Sequence, residues 1–238
     1  RKANVSGTDA LLELASATRL KALHLVSTIS AAPADGDEQS SLSEERALAS
    51  SGYGLSKWVS ERRVAQAGAR GLPITVHRPA MITGHSERGV PNLEDFVNRY
   101  LRTCLALGIG LDIQDARCDL TPVDYVARGI VALIGDLAAR GRTHHLSNLR
   151  GSPTWAELSE GLGVRPVPYL EFREALLAAG SSVPLAPLQA WFPSSGFRMQ
   201  MGPWPSAYTQ ARLGALGVAP PPAALALVAA YARYHRRA

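Results

Sequence analysis

No stretch of this sequence is apolar and long enough to cross a bilayer, and no charged-then-apolar leader opens it. A soluble, non-secreted, cytoplasmic chain is the expectation, with no membrane partner. Cysteine is scarce. Cys104 and Cys118 sit in apolar segments without metal-ligand spacing, which disfavours a disulfide framework and points to buried free thiols. Asn4-Val5-Ser6 spells a glycosylation sequon that carries no weight without a secretory signal. No His/carboxylate set has ligand spacing, and His144 and His145, adjacent on an expected strand, point to opposite faces; no metal is expected. The absence of a Gly-x-Ser-x-Gly elbow disfavours a serine hydrolase. Basic residues give a formal charge of +5 but cluster only at Arg62-Arg63 and Arg236-Arg237. That suits an acidic ligand and does not support a nucleic-acid stripe.

What is present is alternation. The 238 residues suit one globular unit, or a large domain with a smaller lobe. Apolar spacing behind Thr8 predicts a helix to Arg19, and Leu23–Ile29 reads as a buried strand. The polar stretch 31–50 reads as a surface loop. A helix over about 51–69 ends at Gly71-Leu72-Pro73, and Ile74–Arg78 is a second strand, closed by Pro79. Helix 93–107 buries Phe96, Val97, Tyr100, Leu101 and Cys104. A strand 118–121, a helix from Pro122 to about Ala139 and a strand 143–147 complete an α/β pattern: a parallel sheet with helices on both faces. Past Gly151 no strand signal shows. Thr154 and Glu157 spell a capping box, further helical stretches follow at 169–179 and 187–192, and an Ala-rich helix occupies 223–237. The expected division is 1–150 for the sheet domain, with 85–117 contributing to the substrate side, and 151–238 for a helical lobe.

The chemistry concentrates on Ser51–Arg63. Tyr53 and Lys57 lie four apart, hence on one helical face. A cation beside the phenol favours phenolate, so a low tyrosine pKa and proton exchange with a substrate oxygen are expected. By itself Tyr-x-x-x-Lys is weak, since a half-buried Tyr beside a snorkelling Lys has the same spelling. The flanks add to it. The strand before the helix ends in Val26-Ser-Thr-Ile-Ser30 and the strand after it in His77-Arg-Pro-Ala-Met-Ile-Thr-Gly84. Ligands of open parallel sheets bind beyond the carboxyl ends of the strands, where Thr28, Tyr53 and the Pro79 turn converge. Strand-end roles for Thr28 and Pro79 stand beside that reading.

Together, Asn4-Val-Ser-Gly-Thr8, the Ser-Thr strand end, Tyr-x-x-x-Lys, Arg-Pro-x-x-x-x-Gly and Asp119-Leu-Thr-Pro-Val-Asp-Tyr-Val126 resemble the extended short-chain dehydrogenase/reductases. Ser27-Thr-Ile-Ser30, Ser56-Lys-Trp-Val59 with Glu61, and Gly71–Pro79 are similar to the terminal thioester reductase domains of nonribosomal peptide and polyketide synthases, and to carboxylic acid and aminoadipate reductases. The resemblance runs from Asn4 to about Ser147 and is looser in the lobe. It implies a partial Rossmann-type sheet and NADPH-dependent release of a carrier-bound acyl or peptidyl thioester as an aldehyde, or onward to an alcohol. It also implies residue roles. Thr28, Tyr53 and Lys57 are catalytic, Tyr53 and Lys57 also meet the cofactor, and Pro79, Ala80, Met81 and Ile82 contact the nicotinamide carboxamide. Asn4 matches an asparagine that kinks a helix, with a proton-relay or purely structural role. The implied partner is an acyl or peptidyl carrier protein with its phosphopantetheine arm, the chain being a monomeric domain of a multidomain synthase.

One departure stands out. The family's Gly-x-x-Gly-x-x-Gly turn, which holds the pyrophosphate at a helix start, is absent. The resemblance therefore implies that about 120–150 further N-terminal residues belong to the domain, and that these 238 alone bind the dinucleotide poorly. An apolar channel is expected beside the 79–98 loop and the lobe, near Trp191, Phe192, Met199, Met201 and Trp204, with a lobe-core role for that group as the alternative. Arg88, Arg99 and Arg102 are candidate phosphate contacts or plain surface arginines. Two other functions fit the same fold: an extended reductase of nucleotide-sugar type, and a non-catalytic dinucleotide sensor.

Overall fold

A computed structural model describes residues 2–148, 151–197, 204–222 and 224–237. In chain order the strands are β1 (Leu23–Val26), β2 (Ile74–Pro79), β3 (Ile82–Thr83), β4 (Ile109–Leu111), β5 (Thr121–Pro122), β6 (Thr143–Leu146) and β7 (Arg165–Val167). The α-helices are α1 (Gly7–Ser16), α2 (Glu44–Leu48), α3 (Gly52–Ala69), α4 (Phe96–Leu107), α5 (Val123–Gly135), α6 (Trp155–Leu162), α7 (Tyr169–Ala179), α8 (Ala207–Ala215) and α9 (Ala224–Arg237). The chain forms two units. The first is Arg1–Ala80, Val126–Ser147 and Pro203–Pro220; the second is Met81–Tyr125, Asn148–Gly202 and Pro221–Ala238. The chain passes between them repeatedly, and one passage, at 147/148, lies near the boundary drawn from composition.

The first unit is built on a parallel sheet of order β1-β2-β6. Its register sets Val26 beside His77 and His77 beside His144. Side chains alternate, so Ile74, Val76 and Arg78 share one face and Thr75 and His77 the other. Glu61 of α3 reaches Arg78 on the first face, and Tyr208 and Thr209 of α8 meet His144 on the second. Helices therefore cover both faces, as the alternating pattern predicts. His144 and His145 do point oppositely, His144 stacking on His77 and His145 facing Arg78.

The polar stretch 31–50 does more than connect. Ser43 caps the short α2, and two side chains occupy the outer edge of β6. Gln39 donates to the Thr143 carbonyl and accepts from its N–H, both at 2.9 Å, while the Glu38 carboxylate accepts from His145 N. They satisfy groups that a neighbouring strand would otherwise take. A nine-residue helix, α8, also forms at Ala207–Ala215, between the expected helical stretches 187–192 and 223–237.

The second unit contains two-stranded parallel pairs, β3-β5 and β4-β7, and an aromatic core of Phe96, Tyr100, Trp155, Phe172 and Phe192. The apolar face of α4 is buried as its spacing predicts, and Gly108 ends the helix at φ +69°, a left-handed value that glycine adopts freely. Three expectations need correction. Strand 118–121 shrinks to Thr121–Pro122, so Pro122 precedes α5 rather than opening it. The α5 helix stops at Gly135, and a 3-10 turn follows at Leu137–Ala139. The region beyond Gly151 does contain a strand, β7, paired with β4 in the register Gly110↔Pro166. Three-residue strands with a glycine and a proline at their centres read as loop, because both residues weaken a ladder.

Candidate active site

Ser51 starts α3 by accepting a hydrogen bond from Gly54 N at 3.1 Å. This start places Tyr53 in the first turn, 55% exposed, and Lys57 one turn further on the same face. The Lys57 ammonium donates to the Val26 carbonyl at 3.0 Å, at the carboxyl end of β1. Burial lowers the lysine pKa, and the nearby Glu61 carboxylate opposes that shift. The helix face bearing both residues is thereby held at the strand ends.

Immediately after β1, Ser27 N extends the ladder to His77 O at 2.7 Å, and Thr28 then leaves it. Thr28 is 7% exposed and caps a 3-10 turn, Ile29–Ala31, its hydroxyl accepting from Ser30 N at 3.3 Å. Neither Lys57 nor Thr28 hydrogen-bonds the Tyr53 phenol. The Ser27 hydroxyl beside them is buried and has no partner among the described residues. In the turn after β2, Ala80 N donates to Leu146 O at 2.9 Å in the first unit. In the second unit Met81 O accepts from Thr121 N at 3.1 Å and Ile82 lies in β3, in register with Thr121.

Asn4 occupies a π-helical turn, Lys2–Ser6, and its side chain donates to Ser56 Oγ at 2.9 Å. Its carbonyl accepts from Ser60 Oγ and Thr8 Oγ1, so this turn is stitched to the Ser56/Ser60 face of α3. A second anchor of the helix is a buried ion pair. Arg78 Nε and one terminal nitrogen donate to the two oxygens of Glu61 at 2.9 and 2.6 Å, with both side chains nearly fully buried. The other terminal nitrogen donates to Ser40 O at 2.7 Å and lies 3.3 Å from His145 Nε2. The sequence does not join Glu61 to Arg78, although a charged residue inside an apolar strand run is rare unless paired.

The other candidates scatter. Phe192 is core, Trp191 is half-exposed and stacks on Phe96 at 5.4 Å in the second unit, and Trp204 belongs to the first. Met199 and Met201 lie outside the described residues. Arg99 pairs with Glu94 and donates to Pro184 O at 2.8 Å, while Arg88 is exposed. Both cysteines are free and buried, and burial pushes the Cys104 thiol up to about 12. Among the described residues there is no His/Cys/Asp/Glu group arranged to hold a metal, and no helix long and apolar enough to cross a membrane.

Residues 1–130 match an NAD-binding family described as male sterility protein. The nonribosomal peptide synthetase FrzA of Cladobotryum sp is 31% identical over 207 residues, which cover 79% of this chain and 20% of that protein. The solved terminal R domain from the myxalamid PKS-NRPS biosynthetic pathway is 34% identical with a TM-score of 0.86, covering 99% of this chain and 63% of that one. A thiolation-reductase di-domain from an archaeal non-ribosomal peptide synthetase shares the fold, with a TM-score of 0.74 at 22% identity, over 98% of this chain and 52% of that one. The chain thus spans about a fifth of the synthetase and under two thirds of either solved relative. With its Tyr-x-x-x-Lys helix held at the carboxyl end of a parallel strand and more than half its length matched, the chain belongs to the male sterility protein family of NAD-binding reductases.

Proposed function

We propose that this chain carries the catalytic residues of an NADPH-dependent thioester reductase that releases a carrier-bound acyl or peptidyl chain as an aldehyde. The observation behind this reading is the bond from Lys57 to the Val26 carbonyl. It ties the Tyr53/Lys57 face of α3 to the carboxyl end of β1, where Thr28 follows and where open α/β sheets take their ligands.

The residues present fit a nicotinamide dinucleotide. An ammonium has three donors, and the one bond of Lys57 leaves others for ribose hydroxyls. The partnerless Ser27 hydroxyl is a further polar group at the same strand end. Pro79, Ala80, Met81 and Ile82 are assigned to the carboxamide. Ala80 N–H is already committed to Leu146, so that contact falls to other backbone groups of the turn. When bound, the cofactor would supply a hydride to the thioester carbon; once the oxygen is protonated, the carbon–sulfur bond breaks, the carrier thiol takes up the hydroxyl proton and leaves, and the aldehyde remains. Tyr53, exposed in the first turn, donates a hydrogen bond and then a proton to the carbonyl oxygen. Thr28 supplies a second hydroxyl as charge develops there. Lys57 orients the cofactor ribose through the donors its bond to Val26 leaves open. The carrier protein with its phosphopantetheine arm is the partner this chemistry requires, the chain acting as a monomeric domain of a synthase.

The test is aldehyde formation from an acyl-pantetheine thioester and NADPH, in the natural chain that contains these residues, beside a nucleotide-sugar panel. Tyr53→Phe lowers kcat about 10²–10⁴-fold, the range for losing a positioned acid. Unchanged turnover in Tyr53→Phe removes the assignment. Turnover confined to nucleotide sugars replaces the substrate class while keeping the residues.

A further inference from the structure

Tyr53 sits in a weak turn of its helix. Gly52 and Gly54 flank it, bring no side chains to pack, and are poorer helix formers than any residue except proline. The tyrosine itself is 55% exposed. Packing therefore does little to fix the first turn of α3, and hydrogen bonds have to do it.

Ser51 holds one side of that turn by accepting from Gly54 N. The other tie is Ser56, half-buried and not used by the proposed chemistry. Its hydroxyl donates to the Tyr53 carbonyl at 2.8 Å. A serine hydroxyl has one proton to give, and its oxygen can still accept. That oxygen takes a hydrogen bond from Asn4 Nδ2 at 2.9 Å. Asn4 is fixed in its turn. It lies in the π-helical segment Lys2–Ser6, and its carbonyl accepts from Thr8 Oγ1 at 2.6 Å and from the buried Ser60 Oγ at 2.8 Å. A chain of hydrogen bonds thus runs from this segment, through Ser56, to the backbone of the residue that carries the phenol. Single π-turns of this kind are frequent where function fixes a local geometry.

We propose that Ser56 is a positioning residue for Tyr53. Held by Asn4, it fixes the backbone of the first turn of α3 and so the direction in which the phenol presents its proton. This inference rests on the assignment of Tyr53 as proton donor, and Ser56 acts only through that residue.

Steady-state reduction of an acyl-pantetheine thioester by NADPH, in the natural chain that contains these residues, tests it. Ser56→Ala lowers kcat about 10–10²-fold, the order of loss for a reacting group displaced by up to about 1 Å, and leaves the thioester KM unchanged. Asn4→Asp keeps the shape of the amide but presents only acceptors, which draws the Ser56 proton away from the Tyr53 carbonyl. The same loss is expected there with the hydroxyl still in place. Ser56→Thr, whose hydroxyl reaches the same carbonyl within a helix, recovers most of the rate. In a Tyr53→Phe background Ser56→Ala has no further effect, because no phenolic proton remains to be aimed. An equal fold-loss in that background overturns the proposal, since a general weakening of α3 lowers both rates alike. So does an undiminished kcat in both Ser56→Ala and Asn4→Asp while Tyr53→Phe is slow. A Tyr53→Phe chain as fast as the unaltered one removes the tyrosine assignment itself, and this inference with it.

Discussion

Arg78 has donors for three different segments, and the fold supplies acceptors on each: Glu61 of α3, Ser40 of the edge-capping loop and, at 3.3 Å, the His145 ring of β6. A buried pair of this kind contributes little over an apolar substitute, but removing one partner strands a buried charge. Arg78→Met is expected to cost about 3–5 kcal/mol in urea unfolding. The double change Arg78→Met with Glu61→Leu recovers most of that, because no uncompensated carboxylate remains. A loss in the double variant as large as in the single one contradicts this account. The pair also matters for Tyr53 and Lys57, which precede Glu61 on the same helix and take their height over the sheet from it.

Single elements depend on a few local devices. The 84–90 loop crosses α9 so closely that a Cβ built on Gly89 falls 2.4 Å from the Ala230 carbonyl oxygen, at φ +70°. Gly89→Ala combines left-handed strain with overpacking and is expected to cost about 1–3 kcal/mol, read as a lowered denaturant midpoint. Helix α6 begins with the capping box legible in its sequence. Thr154 Oγ1 accepts from Glu157 N at 3.1 Å, and the Glu157 carboxylate accepts from Thr154 N at 2.7 Å. Thr154→Ala is expected to lose about 1 kcal/mol, and Thr154→Ser to lose far less in the same measurement.

For the whole molecule, the row of imidazoles on the sheet makes stability depend on pH. His24, His77 and His144 stack at centroid distances of 5.5 and 5.8 Å. Burial lowers the pKa of each, that of His77 to about 4, and burial also brings His145 to about 4. Between pH 6.5 and about 4 the unfolded chain takes up protons that these native rings refuse, so stability falls as pH drops through that window. Asp119 opposes the trend. Burial raises its carboxyl to about 6, so its contribution is lost as pH rises from about 4 to 6. The histidines outnumber it. The urea midpoint is therefore expected to be lower at pH 4.5 than at pH 7, with a flatter dependence in His77→Phe, which retains the stack. A midpoint insensitive to pH across that window contradicts the assignment.

The sequence by itself determined the parallel α/β pattern, the Tyr53–Lys57 helix and the strand ends on either side of it. Those signals are local: a four-residue spacing on one helix, apolar periodicity, a proline stop at Pro79. The capping box at Thr154 and the buried face of α4 were legible for the same reason. Only tertiary structure decided that Arg78 pairs with Glu61, that Glu38 and Gln39 close the edge of β6, and that Gly110 and Pro166 sit in paired strands. It also decided that Lys57 reaches the Val26 carbonyl. Each of those contacts joins residues far apart in the chain, and the type and spacing of a residue do not state which distant group will satisfy its charge or its hydrogen bonds.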